Sequence, residues 1–202
     1  MTSREARRPS GNRSLDFAGL YTVAASQAGH FTTQQAIDVG FTSQALQKHL
    51  QAGRIARVLH GIYRLVQFPV DSLEALAVFD LWAGKRGVFS HEIALVAHEL
   101  SDVLPVDVCM TLPTAWRARR LRLPPGLRLY YADLTAGERA WHGPVRVTKP
   151  YRTLSDCIDA DFRPDLVLQA FDEACARGLL SDDEVQLVNA KLGPWREQRV
   201  AQ

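Results

Sequence analysis

Apolar positions along the chain follow two spacings, and the switches between them mark its elements. From Ser14 to Gly29, Phe17, Leu20, Tyr21, Ala24 and Ala28 recur at three- and four-residue steps. That is one face of a helix, with Ser14 as its N-cap and Leu15 and Asp16 opening the first turn. A second helix is capped by Thr32 or Thr33 and turns Ala36, Ile37 and Val39 inward. Gly40 then stands where a tight turn needs a residue tolerant of positive φ, and Phe41 plugs the space between helices. A third helix is capped by Thr42 or Ser43, carries Leu46 and Leu50 inward with Ile55 extending that face, and is closed by Gly53. Over residues 56–65 the content becomes branched and aromatic. Val58, Leu59, Ile62 and Tyr63 flank His60-Gly61, which reads as a short hairpin. Helix, turn, helix and basic ribbon outline a winged helix-turn-helix, a DNA-reading module.

Beyond Pro69 the pattern is helical again. Asp71 or Ser72 caps a helix carrying Leu73, Leu76, Ala77, Asp80 and Leu81. Ser90, with Glu92 behind it, caps another whose Ile93, Ala94, Val96, Ala97 and Leu100 read as buried on most sides. Residues 107–112, 127–132 and 145–148 read as short strands, too close for βαβ units and therefore a small antiparallel or mixed sheet. Helices follow over 151–160 and 165–178, and a Ser181–Glu184 capping box starts a last one. The expected fold is α+β. It comprises a disordered basic tail (1–14), a winged helix-turn-helix (15–68), a second domain of several helices around a small sheet (69–195) and a frayed end (196–202).

The chain has 202 residues, 47% hydrophobic and 23% charged, enough apolar content for a packed core. No apolar run approaches the roughly 18 to 20 residues of a membrane span. The opening MTSREARRPSGNRS lacks the apolar stretch of a secretory signal. A cytoplasmic protein with no membrane partner is expected, nucleoid-associated when on DNA. Cys109, Cys157 and Cys175, widely spaced among apolar residues, read as reduced thiols. The net charge of +2 hides an asymmetry. Residues 1–68 hold eight Lys/Arg against three acids, a net of +5, and residues 69–202 hold sixteen against nineteen, a net of −3. The basic front suits nucleic acid. Residues 150–184, with nine acids against three bases, suit a basic partner or a second protomer.

The exposed side of the third helix would carry Thr42, Ser43, Gln44, Gln47, Lys48 and Gln51, with almost no acid. Amides and hydroxyls reach base edges, and a cation suits phosphate. Thr42, Ser43, Gln44 and Gln47 are the candidate base readers. Lys48, Arg54, Arg57, His60 and Arg64 are the candidate phosphate contacts. Arg4, Arg7, Arg8 and Arg13 in the tail suit a minor-groove or phosphate arm. Trp116, Arg117, Arg119, Arg120 and Arg122 interleave an aromatic with cations and form a candidate second nucleic-acid patch.

Catalytic chemistry has no comparable signal. No paired acids beside a lysine, phosphate-binding glycine loop, nucleophile elbow or Cys/His ligand spacing occurs, and Asp156, Asp159 and Asp161 lie along a helix with no lysine near them in sequence. His91, Glu92, His98 and Glu99 follow H-E-x5-H, which sets the histidines roughly 10 Å apart along a helix, too far for one ion. No catalytic residue, metal or cofactor is expected, and the chain reads as a regulator rather than an enzyme.

The run Phe31–Leu65, with its order helix-Gly-Phe-helix and then Gly-Arg-Ile-x-Arg-Val-x-x-Gly-Ile-Tyr-Arg-Leu, resembles the N-terminal domain of AbiEi-type antitoxins. Val88-Phe-Ser-His-Glu-Ile-Ala-Leu, Leu100-Ser-Asp-Val-Leu-Pro and Thr148-x-Pro-x-Arg-Thr-Leu-x-Asp are similar to that family's second domain. The resemblance spans most of residues 15–185. It implies a bacterial DNA-binding autorepressor, the antitoxin of a type IV, abortive-infection toxin–antitoxin pair. Such a protein binds repeats in double-stranded DNA upstream of its own operon, as a monomer in solution or cooperatively on DNA. It is paired functionally with a nucleotidyltransferase-like toxin without need of a stable complex. The competing readings are a stand-alone winged-helix regulator, an enzyme acting on nucleic acid, and a helix-turn-helix that serves protein–protein contact, against which the Gln/Ser/Thr face and the +5 charge argue.

Overall fold

The structure, a computed structural model, describes residues 16–70 and 72–200, without the side chains of 197–200. The basic tail, the Ser14 cap, Leu15 and the alternative cap Asp71 lie outside the described residues. The chain divides into two compact units, Met1–Glu74 and Ala75–Gln202.

In the first unit, α1 (Phe17–Ala25) is capped by Asp16, whose Oδ1 accepts the Gly19 N–H at 2.7 Å. Leu20 and Ala24 are buried. Tyr21, expected inward, is 48% exposed, and Ala28 lies beyond the helix at φ +50. A strand absent from the sequence reading, β1 (His30–Thr32), comes next. Thr32 then caps α2 (Thr33–Asp38) in a capping box with Gln35, which satisfies two orphan N–H groups reciprocally. Gly40 sits at φ +93 with Phe41 buried behind it, as the tight turn demands. Ile37, in contrast, faces outward. Thr42 caps α3 (Ser43–Gln51). The hairpin β2 (Ile55–Leu59) and β3 (Ile62–Leu65) is antiparallel, and β1 pairs with the far side of β3, giving the order β1-β3-β2. Leu20, Phe31, Phe41, Leu46, Ile55 and Leu65 form the core that fixes α3 against the sheet.

The second unit contains a five-stranded mixed sheet flanked by helices. Its elements are α4 (Glu74–Trp82), β4 (Val88–Phe89), α5 (Glu92–Ala97), β5 (Val108–Leu112), β6 (Leu127–Tyr131), β7 (Arg139–His142), β8 (Val145–Thr148), α6 (Pro150–Asp159), α7 (Pro164–Ala176) and α8 (Asp182–Val200). The strand order is β6-β5-β4-β8-β7. The pairs β5–β6 and β4–β8 are parallel; β4–β5 and β7–β8 are antiparallel. The sequence indicates three of these strands. β4 has only two residues and β7 reads RAWH, so neither offers enough alternation to detect. Phe89, Met110, Leu112, Leu127, Val145 and Val147 build one core, with Leu76, Phe79 and Ala94 packed in or against it. A second core joins α6, α7 and α8 through Leu154, Val167, Phe171, Val188 and Leu192. Among the described residues the architecture is α+β.

The start of α5 differs from expectation. Ser90 is not its cap. The N-cap is His91, at φ +54 and with no side-chain capping bond. Ser90 Oγ instead accepts from Thr111 Oγ1 at 2.8 Å and meets His91 Nδ1 at 2.9 Å, so its hydroxyl serves the sheet. The helix also ends early. Glu99 enters the left-handed region at φ +56, and the Leu100 N–H returns to Leu95 O at 2.9 Å. The chain end, expected to fray beyond 195, continues as α8 to Val200. The three cysteines are unpaired thiols, and burial pushes the Cys109 thiol up to about 12.

Candidate nucleic-acid interface

The inner face of α3 consists of Leu46, His49 and Leu50, with Leu46 and His49 buried. His49 was not singled out by sequence, although its three-residue step from Leu46 places it on that face. Its ring lies edge-on to Phe17 (centroids 4.7 Å apart) and to Phe41 (5.9 Å). Burial, with Arg54 and Lys48 nearby, holds its pKa below the ordinary histidine value, so it packs as a neutral aromatic.

Locking that face inward turns Ser43, Gln44, Gln47, Lys48 and Gln51 outward, and all five are exposed. No acid lies in the helix's first turn. Thr42 is exposed but occupied: its Oγ1 accepts the Ala45 N–H at 3.1 Å. That leaves the Thr42 O–H for an outside acceptor.

The hairpin beside α3 carries Arg57 and His60, both exposed, with Arg57 Nη2 donating to His60 Nδ1 at 2.8 Å. Arg54 is exposed just before β2. Arg64 departs from its expected role. Its Nε lies 2.7 Å from Glu74 Oε1, and its Nη atoms donate to the carbonyls of Leu65, Val66 and Phe68. This guanidinium ties the segment after β3 together and is not presented to a phosphate. The same Glu74 oxygen lies 3.4 Å from Nε2 of the fully buried His30, whose pKa burial lowers against the pull of that carboxylate.

In the second unit the proposed patch is anchored rather than loose. Thr114 N–H and Oγ1 both bond the Asp133 carboxylate. Trp116 is half-buried against the sheet core, and Arg119 lies over its ring at 4.2 Å. That ring face is therefore not open to a base. Arg117 lies 5.5 Å above Tyr131, and Arg120 and Arg122 are exposed. His91 and His98 have separate partners: His91 stacks on Tyr130 at 3.6 Å between centroids, and His98 Nε2 meets Thr148 O at 2.7 Å. Among the described residues no group of three or more His, Cys, Asp or Glu is placed to hold a metal ion. None of the described helices is long and apolar enough to cross a membrane.

Residues 20–66 match the family model of transcriptional regulators described as AbiEi antitoxins. The resemblance read from Phe31–Leu65 is shown over that segment. It contains α2, α3, the hairpin and every candidate from Thr42 to Arg64. The whole chain is also similar in fold to the crystal structure of the RV2827C protein from Mycobacterium tuberculosis, at 15% identity and a TM-score of 0.56, covering 90% of this chain and 74% of that one. No curated protein matches the chain.

Proposed function

We propose that the first unit is a winged helix-turn-helix that reads double-stranded DNA, and that the protein is a transcriptional autorepressor and antitoxin of a type IV toxin–antitoxin pair. The observation that carries this reading is the outer face of α3, which is amide-rich, acid-free and rigidly aimed by Leu46 and His49 beneath it. Gln44 and Gln47 make the base contacts, joined by Ser43 and the Thr42 hydroxyl. Lys48, Arg54, Arg57 and His60 hold phosphates on either side. The element order α1-β1-α2-α3-β2-β3 and the AbiEi match over 20–66 support it. Neutralisation acts on a nucleotidyltransferase-like toxin encoded beside it, without need of a stable complex.

Footprinting on the DNA upstream of the protein's own operon tests the first half. Protection of repeated sites, with affinity falling steeply as salt rises, is expected. Uniform protection of unrelated DNA would overturn sequence-specific repression. Co-expression with the adjacent gene tests the second half, and growth arrest unrelieved by this protein would leave a regulator without a toxin partner.

A further inference from the structure

The sheet of the second unit has one apolar face and one polar face. Registers Val88↔Thr111, Thr111↔Tyr130, Phe89↔Val147 and Arg139↔Thr148 put Val88, Thr111, Arg139 and Arg146 on the side opposite Phe89, Met110 and Val147. A cavity of about 250 Å³ opens on that polar side, lined among others by Arg86, Thr111, Pro113, Ala132, Arg139 and Arg146. Three arginines from three separate segments line it, and no carboxylate is among the lining residues.

Two of the three are held from behind. Arg139 Nη2 donates to Leu134 O and Arg146 Nη2 donates to Lys85 O, so backbone carbonyls fix both forks in place. Arg139 Nε is buried and has no hydrogen-bond partner among the described residues. Arg86 is exposed, and its side chain makes no bond or ion pair among the described residues. Asp80 lies in electrostatic reach of Arg146 and Lys85 but is buried and is not among the lining residues. Asp133, between two lining residues, is bonded to Thr114. Carbonyl tethers explain where Arg139 and Arg146 sit. They do not explain why a third cation joins them around one concavity with no carboxylate in its lining, an arrangement that raises the local positive potential. Planar forks held in place match the oxygens of a phosphate.

A second feature narrows the ligand. Trp141, 74% exposed, pairs with Arg146 across β7 and β8, and the guanidinium lies 6.0 Å from its ring centroid. An exposed indole beside a phosphate-sized anion site is a stacking face for a base. The cavity is smaller than the roughly 300 to 1,000 Å³ of drug-sized ligand pockets, which suits a phosphate inside and a nucleoside directed outward. We propose that this cavity binds the phosphate of a nucleoside monophosphate. Arg86, Arg139 and Arg146 hold the phosphate and Trp141 stacks the base. This site is separate from the α3 face, so it stands or falls independently of DNA reading.

Calorimetric titration of the full chain at low salt tests it, with adenosine monophosphate, inorganic phosphate and adenosine as probes. Adenosine monophosphate is expected to bind and adenosine to fail. Arg86→Gln, at an exposed side chain, and Arg146→Gln should each raise Kd for the monophosphate at least tenfold. Arg57→Gln should leave it unchanged. Trp141→Ala should weaken the monophosphate and spare inorganic phosphate. An unaltered circular dichroism spectrum and urea midpoint in Arg86→Gln would show that the variant is folded. No binding of either phosphate probe, or equal binding by the wild type and Arg86→Gln, overturns the site. Inorganic phosphate binding as tightly as the monophosphate, with Trp141→Ala silent, overturns the nucleotide assignment and leaves a free-anion site.

Discussion

Arg57 and Arg64 are both wing arginines in the sequence, and the structure separates their roles. Arg64 is held by Glu74 and three carbonyls, whereas Arg57 is exposed and, among the described residues, its side chain bonds only His60. Arg64→Ala should therefore lower the stability of the first unit by about 1.5–3 kcal/mol, the usual loss of hydrogen bonds to a charged group. It should leave the salt dependence of operator binding unchanged in the fraction that stays folded. Arg57→Ala should do the reverse, with an unaltered urea midpoint and a salt slope shallower by about 1. A spacing rule cannot tell these residues apart, because what differs is the carboxylate brought up from Glu74. His91 is a second case. Its ring is buried against Tyr130, and burial, with Arg152 and Arg128 adding, lowers its pKa to about 4. The unfolded chain takes up this proton near pH 6.5 and the folded chain only near 4. The stability it contributes is thus complete above about 6.5 and is lost as pH falls toward 4, by about 3 kcal/mol. In urea unfolding measured across that window, His91→Gln should flatten the fall relative to wild type. Parallel curves would show that other groups carry it.

At the scale of elements, α3 is an instrument with two sides. Its inner face packs on the core, and its outer face carries the proposed reading residues. Gln44→Ala and Gln47→Ala should each relax discrimination at one base-pair position by roughly 1–3 kcal/mol while leaving binding to random DNA unchanged. Competition assays against single-site operator variants measure this, and intact preferences would remove α3 from the groove. Thr42, Thr32 and Asp16 cap three successive helices. The Thr caps are legible to within one residue, as Thr32 or Thr33 and Thr42 or Ser43, because their hydroxyls precede helical spacing. The cap reads as Ser14 in the sequence, whereas it is Asp16, because sequence alone does not say which polar residue before Phe17 turns its side chain onto a free N–H of the first turn, that of Gly19. The end of α5 shows the opposite limit. Periodic apolar residues run on to Leu100, yet the helix stops at Ala97 and Glu99 takes a left-handed backbone that favours glycine. Glu99→Gly should stabilise the second unit by up to about 1 kcal/mol, read as a raised Tm.

Over the whole molecule, each compact unit has cores of its own. DNA that binds the first unit should protect amides of α2, α3, β2 and β3 from hydrogen exchange. At 100 times Kd the added protection approaches about 2.7 kcal/mol, because ligand is bound only by the folded state. Amides of β5 and α6 should be unaffected, and equal protection of both units would mean that the nucleic acid is engaged by each. The sequence by itself determined the helix, turn, helix and hairpin of residues 17–65, since local spacing, caps and a glycine at positive φ are properties of neighbours in the chain. It also determined the acid-free outer face of α3, because leucines at four-residue steps leave the intervening polar residues outside. Only the tertiary structure decided that β1 closes the first sheet, that β4 and β7 complete the second, that Arg64 is an internal tie, and that Arg86, Arg139 and Arg146 share one cavity. In each of these, residues far apart in the chain are brought together by strand pairing or by a buried charge, and no local pattern encodes such a meeting.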